Sequence, residues 1–278
     1  MSLIDFILNV AGLLLWLSWR AIPFAAPVRP GTSHASTLCP AGRPPPRGYY
    51  LAGLIALLGV RAVVYWQLGA QIEWSPRIPL GPVTVWFRSD VLGRMLLFSL
   101  FSFGVTLGFF YLCLLLLSWV HAQTTDTEPA QRLVRAHLGS LDRWPAAMKL
   151  LLPLLFTALV WCLLYPLLVK LRIMPATVDS PWVVVAQGAV IGLAAYLVLK
   201  FFLVAVFTLH LLNSYVYLGE FPLWNFVNIT ARDLLRPMKW IPLQAGKIDF
   251  APVVAIVVVL LSAQLSQQAL AQLYRKLI

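Results

Sequence analysis

Long apolar runs alternate with short polar segments along most of this chain. Six runs reach the length of roughly 20 apolar residues that a transmembrane helix needs. They cover residues 3–24, 49–70, 92–120, 147–169, 182–213 and 250–271. The pattern predicts an all-α integral membrane protein with about six transmembrane helices. The fifth run is long enough to tilt strongly or to extend beyond the bilayer.

Two of the connecting segments are rich in turn-forming residues. Residues 27–48, PVRPGTSHASTLCPAGRPPPRG, have the composition of a flexible or polyproline linker, and no fixed helix is predicted there. Residues 71–90 contain SPRIPLGP, which predicts a turn-rich connection between two spans. Trp74 and Trp86 of that segment are expected at the depth of the membrane interface.

The segment 221–240 has the pattern of an amphipathic helix. Apolar side chains recur at helical spacing at Trp224, Val227, Leu234, Leu235 and Met238. A basic stripe is expected to face lipid phosphates, and it consists of Arg232, Arg236 and Lys239. The segment therefore predicts a helix that lies along the membrane surface.

The connection that follows this helix is predicted to form a hairpin that re-enters the bilayer. Pro237 and Pro242 are predicted to end the helix, because proline lacks the N–H that a helix needs. Gly246 permits a tight return. Asp249 then lies just before the last span, where a carboxylate can accept hydrogen bonds from exposed N–H groups.

A weaker copy of this arrangement occurs 93 residues earlier. At this shift Pro129 aligns with Pro222 and Arg143 with Arg236, and two apolar positions also match. The copy predicts two repeats, each made of a span, an amphipathic hairpin and a second span. The predicted division is an N-terminal two-span extension at 1–91, a first repeat at 92–171 and a second repeat at 172–278.

The composition supports a membrane protein and weighs against a globular enzyme. The chain is 60% hydrophobic and 11% charged, with a mean hydropathy of +0.83. Soluble domains carry roughly 25% charged residues. The net charge is +11, but the basic residues lie mainly in short segments between apolar runs, so nucleic acid is not an expected partner.

The distribution of basic residues predicts an orientation. Twelve Lys and Arg residues lie in the first, third and fifth loops, and seven lie on the opposite side. Positive loops stay in the cytoplasm. Loops 1, 3 and 5 are therefore expected in the cytoplasm of a bacterial inner membrane, where they meet anionic lipid headgroups, and both termini are expected outside.

Two cations, Arg61 and Lys200, lie far from both ends of a predicted span, and both are candidate functional residues. A charge near the centre of a span, as at Arg61, costs at least about 2.5 kcal/mol. We expect no acidic residue at comparable depth, so its partner is a backbone carbonyl, the hydroxyl of Ser99 or Ser102, or a bound anion or lipid. Alternatively, the helix is shifted and Arg61 extends to the headgroups. Lys200 lies in the long fifth run and is within reach of headgroups.

No catalytic, metal or cofactor motif is evident. Ser-His-Asp, HExxH, GxSxG and P-loop patterns are missing, and the three cysteines have no metal-binding spacing. No enzyme activity and no cofactor are expected. One alternative remains, because His121 and His210 lie in spans, and histidines on facing helices could ligate haem.

The segment LLRPMKWIPLQAGKIDFAPVVAIVVVLL resembles the YggT (YlmG) family of small membrane proteins. The motif is an Arg-Pro pair, a proline-glycine turn, an Asp closely followed by a proline, and a span. In this chain it consists of Arg236, Pro237, Pro242, Gly246, Asp249 and Pro252. The resemblance is good over 200–270. It is partial in 92–171, where Arg143 is kept but Trp144 stands before Pro145.

The resemblance implies an integral membrane protein without established enzymatic activity. Relatives are linked to cell division, membrane organisation and osmotic tolerance, and chloroplast relatives to haem attachment in a b-type cytochrome. We therefore expect a scaffold or assembly factor whose partners are lipids and other membrane proteins or a second copy. The alternatives are a small-ion channel or transporter, for which an anion is favoured, and a cytochrome maturation factor or subunit.

Overall fold

The chain folds almost entirely into helices. The computed structural model of this protein describes residues 3–21, 46–72, 74–121, 129–175, 180–216, 222–236, 238, 244–245 and 248–277. The α-helices are α1 (Leu3–Ala21), α2 (Arg47–Gln71), α3 (Leu92–Val120), α4 (Pro129–Leu138), α5 (Ala146–Lys170), α6 (Pro181–Ala195), α7 (Leu199–Tyr215), α8 (Pro222–Leu234) and α9 (Ala251–Leu277). Two short antiparallel hairpins pair β1 (Arg77–Leu80) with β2 (Val83–Trp86) and β3 (Gln244–Ala245) with β4 (Ile248–Asp249).

The six predicted spans are confirmed. Within the described residues, six helical stretches are long and apolar enough to cross a membrane. They are Leu3–Arg20, Arg47–Gly69, Leu92–Val120, Ala146–Lys170, Pro181–Ser214 and Ala251–Leu277. The protein is therefore an all-α, multi-pass membrane protein. Most of the predicted linker 27–48 lies outside the described residues, but its end is helical, since α2 begins at Arg47.

The fifth span is made of two α-helices rather than one. Ser180 precedes the first helical residue, and Pro181 occupies the first position of α6, where its missing N–H costs nothing. A single 3₁₀ turn, Tyr196–Val198, joins α6 to α7. Such a turn is tighter than the α-helix and rises more per residue. The long run thus contains one local change of helical geometry.

Helices α5 and α6 approach each other closely through two glycines. A Cβ placed on Gly192 would lie 2.8 Å from the carbonyl oxygen of Leu154, and one on Gly188 would lie 3.0 Å from that of Ala158. Lipid tails give little hydrophobic drive for association between spans, so close packing of small residues contributes much of the stability. The two glycines therefore set the distance between α5 and α6.

The connection between α2 and α3 contains a β-hairpin that the sequence analysis missed. Strands β1 and β2 pair in register from Arg77 with Trp86 to Leu80 with Val83. Gly81 adopts a φ of +73°, which the two-residue turn requires. The inward side chains of Ile78, Val83 and Val85 are buried. The alternation of apolar and polar positions at the start of VTVW, residues 83–86, was the sequence signal that could have indicated a strand.

The amphipathic helices α4 and α8 each pack against the end of a span. On α4, Val134 and Leu138 contact Leu114 and Leu117 of α3. A second apolar cluster surrounds α8. It combines Val206 and Phe207 of α7, Ala231 of α8, Leu235 just after α8, and Ala255 of α9. The apolar face predicted for 221–240 therefore packs on protein. Helix α8 ends at Leu234, before Pro237, so the predicted helix was too long.

The chain divides into two compact units. The first comprises Met1–Pro76 and Phe87–Leu107, and the second comprises Arg77–Trp86 and Gly108–Ile278. Helix α3 supplies residues to both. The helices α4 and α8 begin at Pro129 and Pro222, the two positions that the 93-residue shift aligns. The predicted repeats and the predicted boundaries at 91 and 171 stay predictions.

Substituting Gly192 with Ala should lower the free energy of unfolding by about 1–3 kcal/mol, because the new Cβ overlaps a backbone carbonyl that cannot move freely. Thermal unfolding of the purified protein in mild detergent would measure the change.

Gly108→Ala is the matched control, since a Cβ at Gly108 meets nothing within 4 Å. It should leave the stability unchanged or raise it slightly, because alanine favours the helix. Equal effects of the two substitutions would contradict the proposed role of Gly192.

Candidate functional site

The side chain of Arg61 is buried within the first unit. It projects from α2 and is 1% exposed. The alternative in which Arg61 extends to the headgroups is therefore wrong. A buried guanidinium keeps its charge, so it needs hydrogen-bond acceptors and a counter-charge close by.

Four polar side chains from three helices surround this guanidinium. Arg61 Nη2 donates to Asp5 Oδ1 at 2.7 Å and to Ser102 Oγ at 3.1 Å, while Nη1 donates to Asn9 Oδ1 at 2.8 Å. Asn9 Nδ2 also donates to Ser102 Oγ at 3.0 Å. The Tyr65 hydroxyl donates to Asp5 Oδ1 at 2.7 Å. We call these five residues the Arg61 cluster.

The acidic partner corrects the expectation that no carboxylate lies at the depth of Arg61. Asp5 belongs to the first turn of α1 and its side chain is 6% exposed. Its position near the chain start suggested a flanking residue, but α1 already begins at Leu3. Ser102 is confirmed as a partner, whereas the hydroxyl of Ser99 donates to the carbonyl oxygen of Leu58 at 2.9 Å.

Aromatic rings cover the Arg61 cluster. The Arg61 guanidinium lies 5.2 Å from the ring centroid of Phe98 and 5.4 Å from that of Tyr65. Trp74 packs edge-on against Tyr65 with 4.9 Å between ring centroids. These rings exclude lipid and water and add cation–π attraction. The cluster therefore joins α1, α2 and α3 through a charge-compensated network.

A second polar site is a cavity of about 730 Å³ in the second unit. Its walls are formed by the end of α3, by α4 and the 3₁₀ turn Gly139–Arg143 that follows, and by the start of α5. One side chain of α8 completes the lining. The cavity is lined by Leu117, Ser118, His121, Val134, Arg135, Gly139, Ser140, Asp142, Lys149 and Phe226. We call it the interfacial pocket, because it lies where two spans end.

Four side chains in the interfacial pocket form a charged network. Lys149 Nζ donates to Ser118 Oγ at 2.7 Å and lies 3.8 Å from Asp142 Oδ1. The Ser118 hydroxyl donates to Asp142 Oδ1 at 2.5 Å. Arg135 Nε lies 3.2 Å from Asp142 Oδ2. Two cations thus share one carboxylate.

This network was not predicted from the sequence. In the sequence, Lys149 and Arg135 are two of the twelve basic residues assigned to the odd-numbered loops, and Asp142 shows no pattern of its own. The available signal was the spacing of seven residues from Arg135 to Asp142 and again to Lys149. The 3₁₀ turn and Pro145 interrupt the helix between them, so sequence spacing could not show that the three side chains meet.

The histidines that suggested haem make hydrogen bonds within the second unit. His121 Nδ1 lies 3.0 Å from the carbonyl oxygen of Leu117, and its Nε2 lies 3.3 Å from Thr230 Oγ1. Its ring stacks on Phe226 with 5.8 Å between centroids. His210 Nδ1 lies 2.8 Å from Asn228 Oδ1. Both ring nitrogens of His121 therefore lie within hydrogen-bonding distance of polar atoms of the second unit.

The other predicted site residues lie apart from these two clusters. Lys200 is half-buried, with Nζ 5.2 Å from the ring centroid of Phe201. Arg232 is exposed, and exposed Arg236 pairs with Asp233, Nε to Oδ1 at 3.4 Å. Pro252 is buried in the first turn of α9.

The remaining family-motif residues are only partly described. The backbones of Arg143 and Asp249 are placed, at the ends of the 3₁₀ turn and of β4, but their side chains lie outside the described part of the structure. Outside it altogether are Pro237, Lys239, Pro242 and Gly246. Whether Asp249 caps α9 thus stays a prediction.

The described residues define a helical, multi-pass membrane protein with six candidate spans. No model of a known protein family, no curated protein and no solved structure matches it. The resemblance to the YggT family therefore stays a prediction. Within the described residues, no three His, Cys, Asp or Glu side chains form a group that could hold a metal ion.

Replacing Arg61 with Leu should lower the free energy of unfolding by about 3–5 kcal/mol, because Asp5 is left as an uncompensated buried charge. Asp5→Leu should have a similar effect, and the double variant should be more stable than either single variant. Denaturant or thermal unfolding in detergent would measure this double-mutant cycle.

The control is the pair of Arg94 and Asp90, also in the first unit, where Asp90 is 53% exposed. Arg94→Leu should change the stability by only about 0–1 kcal/mol. Additive effects of the two single substitutions at Asp5 and Arg61 would show that the two side chains do not stabilise each other.

Proposed function

We propose that this protein is a non-enzymatic membrane scaffold or assembly factor that binds anionic lipid headgroups and other membrane proteins through an interfacial layer made of α4 and α8. The carrying observation is that both amphipathic helices pack on the ends of spans within one unit. His121, at the end of α3 and close to α4, contacts Thr230 and Phe226 of α8 and so links the two amphipathic helices. A layer held in this way presents a defined surface.

The interfacial pocket supports the lipid part of the proposal. Its lining includes two cations, the buried Lys149 and the half-exposed Arg135, which both lie beside Asp142. The ammonium and guanidinium groups form strong, charge-assisted hydrogen bonds with phosphate oxygens. The N-terminus of α5 is close to Lys149, and its helix dipole favours an anion as well. A phospholipid headgroup fits this chemistry at the end of a span.

Two exposed basic residues at the end of α8 support the proposed binding of other membrane proteins. Arg232, in α8, and Arg236, two residues after the helix ends, are exposed, while the opposite face of the helix packs on α7 and α9. The resemblance to the YggT family favours the same role, since relatives are linked to membrane organisation. The excess of basic residues in the odd-numbered loops favours the cytoplasmic side of a bacterial inner membrane for this layer.

The two alternative functions, ion transport and haem binding, gain no support from the geometry of Arg61 and His121, the residues that suggested them. A transport role needs the charge of Arg61 to face a passing ion, whereas the guanidinium is engaged by Asp5, Asn9 and Ser102. A haem-binding role needs a ring nitrogen that faces an iron, whereas both ring nitrogens of His121 face polar atoms of the second unit. The scaffold proposal does not use Arg61, and it uses His121 only for its contacts with α8.

Replacing Lys149 with Met keeps the length of the side chain and removes its charge. We expect phosphatidylglycerol to raise the melting temperature of the wild-type protein in detergent, because the headgroup binds only the folded state. Most of this increase should be lost in Lys149→Met. Phosphatidylcholine should have little effect on either protein.

Lys276→Met is the control, since Lys276 is an exposed cation at the end of α9, outside the pocket. It should keep the wild-type response to phosphatidylglycerol. An undiminished response in Lys149→Met would remove the pocket from the proposal.

Replacing Arg232 and Arg236 with Glu should release the protein partners that co-purify with the wild type from mild detergent. The substitution reverses two exposed charges and also breaks the ion pair of Arg236 with Asp233, so thermal unfolding is compared with the wild type to check that the fold is kept. Quantitative mass spectrometry of the purified material measures the loss, and membrane fractionation confirms insertion.

Arg275→Glu, at the opposite end of α9, is the matched control and should keep the partners. If the double variant retained the same partners at the same abundance, α8 would not be the binding surface.

A further inference from the structure

The second half of α9 has an amide stripe, which the proposed function does not use. The stripe consists of Gln264, Gln267, Gln268 and Gln272. At 3.6 residues per turn they fall within an arc of about 140° on one face of the helix. With Ala271 and Arg275 they line an open groove of about 510 Å³. All four side chains are exposed, and none hydrogen-bonds to another described residue.

The packing of α8 indicates the depth of this stripe in the bilayer. Ala255 of α9 contacts the apolar cluster that includes Ala231 and Leu235, beside a helix of interfacial character. Gln264 is nine residues further along α9, which is about 14 Å at 1.5 Å per residue. The hydrocarbon layer is about 30 Å thick. Gln264 therefore lies near its centre, and Gln272 near its far boundary.

Amides at this depth need a hydrogen-bonding partner. Hydrocarbon offers neither donors nor acceptors, so an exposed amide loses the hydrogen bonds that it makes in water. Glutamine side chains in spans usually satisfy this need by bonding across to another helix. Since no described residue of the same chain bonds to the stripe, the partner is a separate helix.

We propose that the amide stripe of α9 is the seam of a homodimer, in which it pairs with the same stripe of a second copy. Each glutamine amide has two donor hydrogens and an acceptor oxygen, so identical stripes are complementary to each other. Two copies inserted in the same direction place every glutamine at the depth of its counterpart. A different partner would need polar groups of its own at three matching depths.

The rest of this face is compatible with a twofold seam. Ala271 is small, which lets the two helix backbones approach each other. Val257 and Leu260, one to two turns before Gln264, are exposed and extend the contact as an apolar surface. Arg275 is about 30 Å from Ala255, at 1.5 Å per residue, in the opposite headgroup region. Phosphates and water there separate the two like charges.

Cysteine cross-linking in liposomes tests the seam directly. In a background where Cys39, Cys113 and Cys162 are replaced by Ser, Gln264→Cys and Gln268→Cys should each form a disulfide-linked dimer on mild oxidation. Ser266→Cys is the control, because Ser266 is also exposed but lies on the opposite face of α9. Equal cross-linking at Ser266, or none at the two stripe positions, would overturn the proposal.

A second measurement uses variants that keep the helix and remove the amides. Replacing Gln264, Gln267 and Gln268 with Leu should weaken dimerisation by at least about tenfold, measured by energy transfer between labelled copies diluted in lipid. Leucine favours insertion, so failure to fold is not the expected outcome. Ser262→Leu with Ser266→Leu should leave the energy transfer unchanged. A monomeric wild type, or an unchanged dimer in the triple variant, would overturn the proposal.

Discussion

The hydrocarbon of a bilayer offers no hydrogen bonds, and the arrangement of the polar residues in this protein follows from that constraint. Most backbone groups within a span are satisfied by the helix itself, so polar side chains are the main groups that still need partners. In the first unit, the guanidinium of Arg61 is surrounded by Asp5, Asn9 and Ser102 from the two neighbouring helices. Removing any one of them leaves a donor or a charge without compensation, so the three helices are held in one relative position by polar contacts as well as by packing.

The same constraint distinguishes the two polar sites of the second unit. The interfacial pocket lies at the end of α3 and the start of α5, where water and headgroups are available, so two cations beside Asp142 are tolerated there. The amide stripe, by its inferred depth, runs from the centre of the hydrocarbon to its far boundary and has no described partner in its own chain. A polar surface at the boundary is suited to soluble or headgroup ligands, whereas one at the centre of the bilayer is suited to another helix. The depth of a polar group thus limits the kind of partner it can have.

The sequence was sufficient for the spans and insufficient for the contacts between them. Apolar runs of about 20 residues predict membrane helices well, because a span is recognised from its own composition. The partners of Arg61 were predicted in part: the hydroxyl of Ser102 was one of the expected partners, whereas no carboxylate was expected. Asp5 reaches Arg61 because α1 and α2 lie side by side, and no local sequence pattern indicates that arrangement. The β1–β2 hairpin was missed because prolines in SPRIPLGP obscured a short alternation. The network of Arg135, Asp142 and Lys149 depends on a 3₁₀ turn that brings three separated residues together.

The pair of Asp5 and Arg61 has a consequence for biosynthesis. A ribosome releases α1 before α2, so the carboxylate is already at the membrane when the arginine arrives. Inserted alone, each helix would carry one of these charges into the bilayer without compensation, but in a hairpin the charges of Asp5 and Arg61 cancel each other. Insertion of the second span would then depend on the first. Sequence changes near the N-terminus can then affect the yield of correctly inserted protein through a residue more than 50 positions away.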